Sequence, residues 1–204
     1  MTIRFHTGDL PNLDKYTGDV AIDTEAMGLN PHRDRLCVVQ LSPGDGSADV
    51  VQIKAGQSDA PNIQALLADQ SKTKIFHFAR FDVALLEHSF GTVTTPIFCT
   101  KIASRLTRTY TDRHGLKDLT RELLDVDISK QQQSSDWGAE KLSDAQLAYA
   151  ASDVLHLHAM RDILVKRLAR EDRTEIANAC FEFLPTRTKL DLIGWPETDI
   201  FAHS

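Results

Sequence analysis

Asp19-Val20-Ala21-Ile22-Asp23 is a short apolar run closed by an acid at each end, and it reads as the first clear strand of the chain. A strand apolar on both faces is one that is covered on both faces, as in the sheets of α/β proteins. Working outward, Leu36-Cys37-Val38-Val39-Gln40-Leu41-Ser42 and Ala48-Asp49-Val50-Val51-Gln52-Ile53 read as two more strands around the turn signal Asp45-Gly46. The three runs predict a meander. Asn62 to Ala68 then reads as a helix, Lys74-Ile75-Phe76-His77-Phe78 as a compact buried strand, and Arg80 to Ser89 as the helix that follows it. From Thr100 onward the chain reads as almost wholly helical, with an amphipathic segment from Gly115 to Leu124. A capping box, Ser143-Asp144-Ala145-Gln146, opens a further helix running through Tyr149, Asp153, Leu157 and Met160 towards Leu168. Alternating strands and helices followed by a helical half predict an α/β fold.

The 204 residues are 42% apolar and 25% charged, ordinary globular values that fit one domain. Met1 to Leu10 alternate polar and apolar side chains without a basic start or an apolar run, so no secretory signal is expected. No stretch approaches the ~20 apolar residues of a membrane helix, and a soluble, intracellular protein is expected. Cys37, Cys99 and Cys180 lie outside any C-x-x-C spacing and read as small buried groups. The net charge of −6 argues against tight nonspecific binding to long nucleic acid, which depends on neutralising many phosphates. The polar segment Ser129 to Ser135 reads as a functional or structural loop. Leu192, Ile193, Trp195, Ile200 and Phe201 are too apolar for a free tail, so the segment Leu190 to Ser204 is expected to dock on its own domain or across a subunit interface.

Asp23 and Glu25 stand two apart at a strand end, a spacing that sends both carboxylates to one face. Asp82 is a lone acid at the start of an otherwise apolar helix, and either the helix N-terminus or the Asp23–Glu25 site would accommodate it. Tyr149 and Asp153 are four apart, stacked on one helix face. Each pair alone has a plain structural explanation: a solvated strand end, a helix-start carboxylate, a Tyr–Asp hydrogen bond. Brought together, four carboxylates need compensating charge, and two divalent cations supply it. Oxygen-only ligands suit Mg²⁺ or Mn²⁺, and a pair of such ions ~4 Å apart serves in-line phosphoryl displacement.

The segments Ile22-Asp23-Thr24-Glu25, His77-Phe78-Ala79-Arg80-Phe81-Asp82 and Tyr149-Ala150-Ala151-Ser152-Asp153 resemble, in order and spacing, the motifs of the exonuclease superfamily with four acidic ligands and a tyrosine, to which RNase D belongs. The similarity continues through Asp125 to Lys130 and Ser135-Asp136-Trp137 to Gln146, covering roughly Val20 to Leu164. It implies an RNase H-like mixed sheet with flanking helices and a single 3′-5′ exonuclease domain over 1–204, with a motif-bearing core at about 18–170 and a packing or oligomer segment at 171–204. It also assigns Asp23, Glu25, Asp82 and Asp153 as ligands of two metals and Tyr149 as the group that orients the attacking water. RNase D-like chains carry further C-terminal helical domains, whereas this sequence ends at Ser204 and has Glu140-Lys141 in place of the family's Arg-Pro. Leu36 to Gly46, Thr100 to Lys117 and Trp195 to Ser204 look more like nano-RNase C, a compact group acting on very short RNA. That likeness implies a cytoplasmic bacterial diribonuclease that releases 5′-mononucleotides and assembles as a homo-oligomer, an octamer.

Candidate substrate contacts follow. Similar dinucleases use a leucine at the position of Leu29 as a wedge between bases; a loop residue packed on the core is the equal alternative. Arg105, Arg108, Tyr110, Arg113, His114 and Lys117 form the densest basic stretch, suited either to phosphate and base recognition or to a solvated helix face. Thr24, His77 and Arg80 flank the acids, and Trp137 reads as a packing anchor. Two other functions stay open: an exonuclease trimming longer RNA or DNA ends, and a non-catalytic binding module.

Overall fold

The structure, a computed structural model, describes residues 2–203. Six strands form one mixed sheet: β1 (Thr2–Thr7), β2 (Val20–Ala26), β3 (Leu36–Ser42), β4 (Ser47–Gln52), β5 (Lys74–Phe76) and β6 (Ile97–Cys99), in the order β1-β4-β3-β2-β5-β6. The expected meander is present, with β2, β3 and β4 pairing antiparallel in sequence, while β5 lies parallel to β2, and β6 parallel to β5. Every residue of β3 is buried, as are Val20, Ala21 and Ile22 of β2, which places β2 in the interior of the sheet.

Two strands were not expected from the sequence. β1 pairs parallel to the whole of β4, although its polar alternation holds no apolar run. Its anchor is electrostatic: Asp49, buried in β4, accepts from Arg4 Nε at 3.1 Å, His6 Nε2 at 2.7 Å and the Tyr16 hydroxyl at 2.7 Å, and pairs with Lys15. Burial alone would raise its pKa, but these donors hold it at about 2. β6 has three residues, too few for any periodicity to show.

Seven helices cover the sheet: α1 (Pro61–Ala68), α2 (Ala79–Phe90), α3 (Thr100–Thr107), α4 (Leu116–Leu124), α5 (Asp144–Leu155), α6 (Leu157–Arg170) and α7 (Thr174–Leu192). The capping box opens α5 as expected, with Gln146 N donating to Ser143 Oγ at 3.3 Å and Ser143 N to Gln146 Oε1 at 2.9 Å. The single long helix expected towards Leu168 is instead two, broken at His156, which stays in the right-handed region (φ −101°, ψ −6°) but donates its N–H to the Val154 carbonyl instead of continuing the ladder. No Gly or Pro marks that break. β5 ends at Phe76 rather than at the expected Phe78, because Phe78 takes a left-handed conformation (φ 69°, ψ 46°) and turns the chain directly into α2.

α5 lies across β1 to β4, while α2 packs on β3, β5 and β6 and on α7. The C-terminal segment is pinned to this layer by polar bonds. Arg80 forks onto Asp191 at 2.7 and 2.8 Å and reaches the Pro196 carbonyl at 2.6 Å, and Arg187 bonds Asp191 and the carbonyls of Trp195 and Thr198. Trp195, Ile200 and Phe201 nonetheless stay exposed in the single chain. Because the Ser143 cap starts the helix that carries Tyr149 and Asp153, Ser143→Ala is expected to lower unfolding free energy by about 0.5–2 kcal/mol. Urea denaturation checks the value.

Candidate active site

The pleat and the helical repeat assemble the site. Asp23 and Glu25 project from the same face at the end of β2, and Tyr149 and Asp153 face them from one side of α5. One oxygen each from Asp23, Glu25 and Asp153 lies within 4.8 Å of the others, close enough to share an ion. Asp82 stands outside this group of three. Thr24, which the pleat turns away from its neighbours, donates its hydroxyl to Asp82 Oδ1 at 2.7 Å, so Asp82 meets β2 on the Thr24 side. Asp23 in turn accepts from Gln40 Nε2 at 2.6 Å, across the β2–β3 ladder where the two residues are direct partners.

Burial is the largest cause raising the pKa of all four carboxyls, and mutual repulsion adds to it in Glu25, Asp82 and Asp153. The hydrogen bonds from Gln40 and Thr24 oppose the shift without cancelling it. The Tyr149 phenol is pushed well above its ordinary value, first by burial and then by Asp153, Glu25 and Asp23, so it keeps its proton at neutral pH. His77 hydrogen-bonds Thr100 Oγ1 through Nδ1 at 2.9 Å; burial, then Lys101, lowers its pKa to about 3, leaving it neutral. A donor set of oxygens alone, short of positive charge, fits a hard divalent cation such as Mg²⁺ or Mn²⁺.

The acids open into a cleft of about 290 Å³ lined by His77, Phe78, Lys101, Lys117, Lys130 and Tyr149, among others. Gln133 also lines it, as the reading of the polar 129–135 loop allowed. Trp137 is buried beside Tyr149, ring centroids 6.0 Å apart, a packing anchor as expected.

Several expected substrate contacts are placed elsewhere. Arg108 is 1% exposed and fully engaged, donating to Glu122 Oε1 at 3.0 Å, Ser104 Oγ at 3.0 Å and the Arg113 carbonyl at 2.6 Å. It is a structural cation, not a free phosphate ligand. His114 is bonded to Ser104, Tyr110 to Glu122, and neither lines the cleft; nor do Arg105 and Arg113. Arg80 is spent on the C-terminal clamp. The Thr24 hydroxyl is committed to Asp82, although the residue borders the cleft. Leu29 is 83% exposed, which removes the alternative of a residue packed on the core. The sequence reading missed Phe78 and Lys101, whose ammonium lies 4.2 Å from the Phe78 ring centroid, and Lys130. The signal for Phe78 and Lys101 was local: each flanks the end of a short parallel strand, where α/β sites form.

Acids whose folded pKa is raised favour the fold while protonated, and that contribution is lost as pH climbs from the unfolded carboxylate range of about 4 through the raised values. Metal-free protein is therefore expected to lose thermal stability between pH 5 and 8, to an extent of about 1–3 kcal/mol. Mn²⁺ or Mg²⁺ is expected to restore it most at the higher pH. Thermal melts with and without chelator check both slopes, and a flat metal-free profile would contradict the electrostatic account.

Residues 7–169 match the sequence family described as 3′-5′ exonuclease. A ribonuclease D of Gluconacetobacter diazotrophicus is 36% identical over 156 residues, 76% of this chain, so the chain spans only 39% of that relative's length. NrnC of Brucella melitensis with bound Mg²⁺ superposes with a TM-score of 0.97 at 69% identity, and NrnC bound to pGG with 0.98 at 70%, all of both chains covered in each case. Escherichia coli RNase D, at 22% identity and a TM-score of 0.80 over 93% of this chain and 51% of its own, shares the RNase H-like fold. With its motifs intact and the match spanning most of its length, the chain belongs to the 3′-5′ exonuclease family.

Proposed function

We propose that this protein is a metal-dependent 3′-5′ exoribonuclease that hydrolyses very short RNA, dinucleotides above all, to 5′-mononucleotides. The observation that carries the reading is a small cleft, about 290 Å³, with the acid cluster at its base. That volume lies just below the range of small-molecule pockets, room for the groups around one scissile bond. Full-length similarity to the Brucella melitensis protein complexed with pGG supports the same substrate class.

In this reading Asp23, Glu25 and Asp153, with Asp82 alongside, hold two Mg²⁺ or Mn²⁺ ions. When bound, the ions stabilise charge on the attacking and leaving oxygens and increase the acidity of the nucleophilic water. Tyr149, protonated and fixed on α5, orients that water by hydrogen bonding; its raised pKa supports orientation over proton abstraction. Thr24 and Gln40 hold the Asp82 and Asp23 carboxylates in place. Phe78 offers a half-exposed ring for base stacking, with Lys101, Lys117 and Lys130 arranged for the phosphates. Leu29, exposed on the loop after β2, is free to separate two bases. The exposed Trp195, Ile200 and Phe201 support a homo-oligomer, with an octamer as the nano-RNase C likeness implies, acting in the cytoplasm.

A time course on end-labelled RNA and DNA from dimers to about sixteen nucleotides tests the reading. Dimeric RNA is expected to disappear fastest, chelator to abolish cleavage and Mn²⁺ to restore it; equal loss of the longest RNA or DNA would favour general end trimming. Tyr149→Phe is expected to cut single-turnover cleavage by about 10²-fold, the cost of a misplaced nucleophile, while leaving Mn²⁺ binding intact. Full activity of that variant would remove the tyrosine from the mechanism.

A further inference from the structure

One stretch of the cleft lining comes from the first turns of two helices. Lys101 is the second residue of α3, while Gly115 precedes α4 and Leu116 and Lys117 open it; all four line the cleft. Both lysines are half-buried, and α3 and α4 each pack on α6. A polar cluster around Arg108, the residue that ends α3, joins the two helices to each other. Arg108 Nε donates to Glu122 Oε1 at 3.0 Å and Nη2 pairs with Glu122 Oε2, so the guanidinium forks onto a carboxylate of α4. Its Nη1 donates to the Arg113 carbonyl at 2.6 Å and to Ser104 Oγ at 3.0 Å. Ser104 Oγ is hydrogen-bonded in turn to His114 Nδ1 at 2.8 Å.

These bonds bracket the two lysines along the chain. Ser104, wholly buried, lies one turn beyond Lys101 on α3. Arg113 and His114 immediately precede Gly115, and Glu122 lies on α4, the helix that carries Lys117. One buried guanidinium thus connects the end of α3 with the loop that enters α4 and with α4 itself. A planar fork serves a carboxylate, a hydroxyl and a carbonyl at once, which an ammonium, as a point donor, does not reproduce. Without it the Arg113 carbonyl and Ser104 each lose a donor and Glu122 loses its forked partner, so nothing in the cluster holds the entry to α4 on its present course.

We propose that Arg108, together with Ser104 and His114, is a positioning residue that fixes Lys117 against Lys101, so that both ammonium groups meet the substrate phosphates. This rests on the reading above, in which those lysines face the phosphates of a short RNA. The acids sit on β2, α2 and α5, outside the cluster, so disturbing it weakens substrate binding and leaves the chemistry in place. The expected signature is a higher KM at a nearly unchanged kcat, the mark of a contact that is equal in the ground and transition states.

Arg108→Met, Ser104→Ala, Lys117→Met and the double variant Ser104→Ala/Lys117→Met in the full chain test this, with kcat and KM measured for a 5′-phosphorylated RNA dinucleotide and Mn²⁺ binding followed by calorimetry. Each single variant is expected to raise KM by about tenfold, the effect of losing one or two hydrogen bonds, with kcat within about twofold and Mn²⁺ binding unchanged. Once Lys117 is gone, Ser104→Ala is expected to add less than about twofold to KM, because both changes remove the same contact. A serine that only stabilised the fold would give the same factor in both backgrounds. Ser104→Ala deletes a single hydroxyl, so it reports on the cluster should Arg108→Met fail to fold. An unchanged KM in the folded cluster variants, an additive double variant, or a fall in kcat at constant KM overturns the assignment. A wild-type enzyme that leaves the dinucleotide uncut sinks the short-RNA reading itself, and a wild-type KM in Lys117→Met removes that lysine from the phosphates and the role of Arg108 with it. A raised KM in Lys117→Met with none in the cluster variants sinks only the positioning role.

Discussion

Repulsion among carboxylates held at the end of one buried strand is the constraint around which this molecule is organised. Asp23 and Glu25 cannot move apart, because β2 is paired on both sides and its first three residues are fully buried. Asp153 is fixed by a capped helix laid across the same sheet, and Asp82 by the start of α2. Left alone, such a cluster is relieved only by protons, as the raised pKa values of all four groups express. A folded scaffold that bears this cost is poised for cations, since binding exchanges protons for charge without reorganising the ligands.

The hydrogen bonds around the cluster follow the same logic. Gln40 and Thr24 each give one donor to a carboxylate, enough to orient it but too little to neutralise it. Asp49 shows the opposite arrangement in the same sheet. Four donors surround that buried carboxylate, its pKa falls, and it clamps β1 to the edge of the fold. The same residue type is therefore structural where donors saturate it and available to a metal where acids outnumber donors.

What could be read in the sequence follows from range. The meander, the helix after β5 and the Ser143 capping box are written in contiguous residues whose periodicity or end signals are local, and all are present. The pairing of Asp23 with Glu25 and of Tyr149 with Asp153 needed only the strand and helix repeats. By contrast β1 depends on a buried acid more than forty positions away, and the break at His156 carries no breaker residue, so neither left a local mark. The position of Asp82 was legible as a helix start, but its hydrogen bond to Thr24 depends on how α2 packs against β2, which no local pattern records.

Basic residues were the least legible, because density along the chain is not density in space. Within the stretch from Arg105 to His114, Arg108 and Tyr110 both serve Glu122 and His114 serves Ser104, and none of these three lines the cleft. The cations that reach the cleft are single lysines from α3, α4 and the loop between α4 and α5: Lys117 closes the dense basic stretch, whereas Lys101 and Lys130 stand apart from it. Three lysines in a chain of net charge −6 make a local, shallow electrostatic surface. Binding to single-stranded RNA strengthens with each phosphate neutralised, about 0.7 counterions released per contact, so a surface of this size holds a short substrate and gains little from a longer one. Length selection then does not need to be enforced by repelling long RNA. Under the proposed function it follows from a cleft whose lysines reach only a few phosphates.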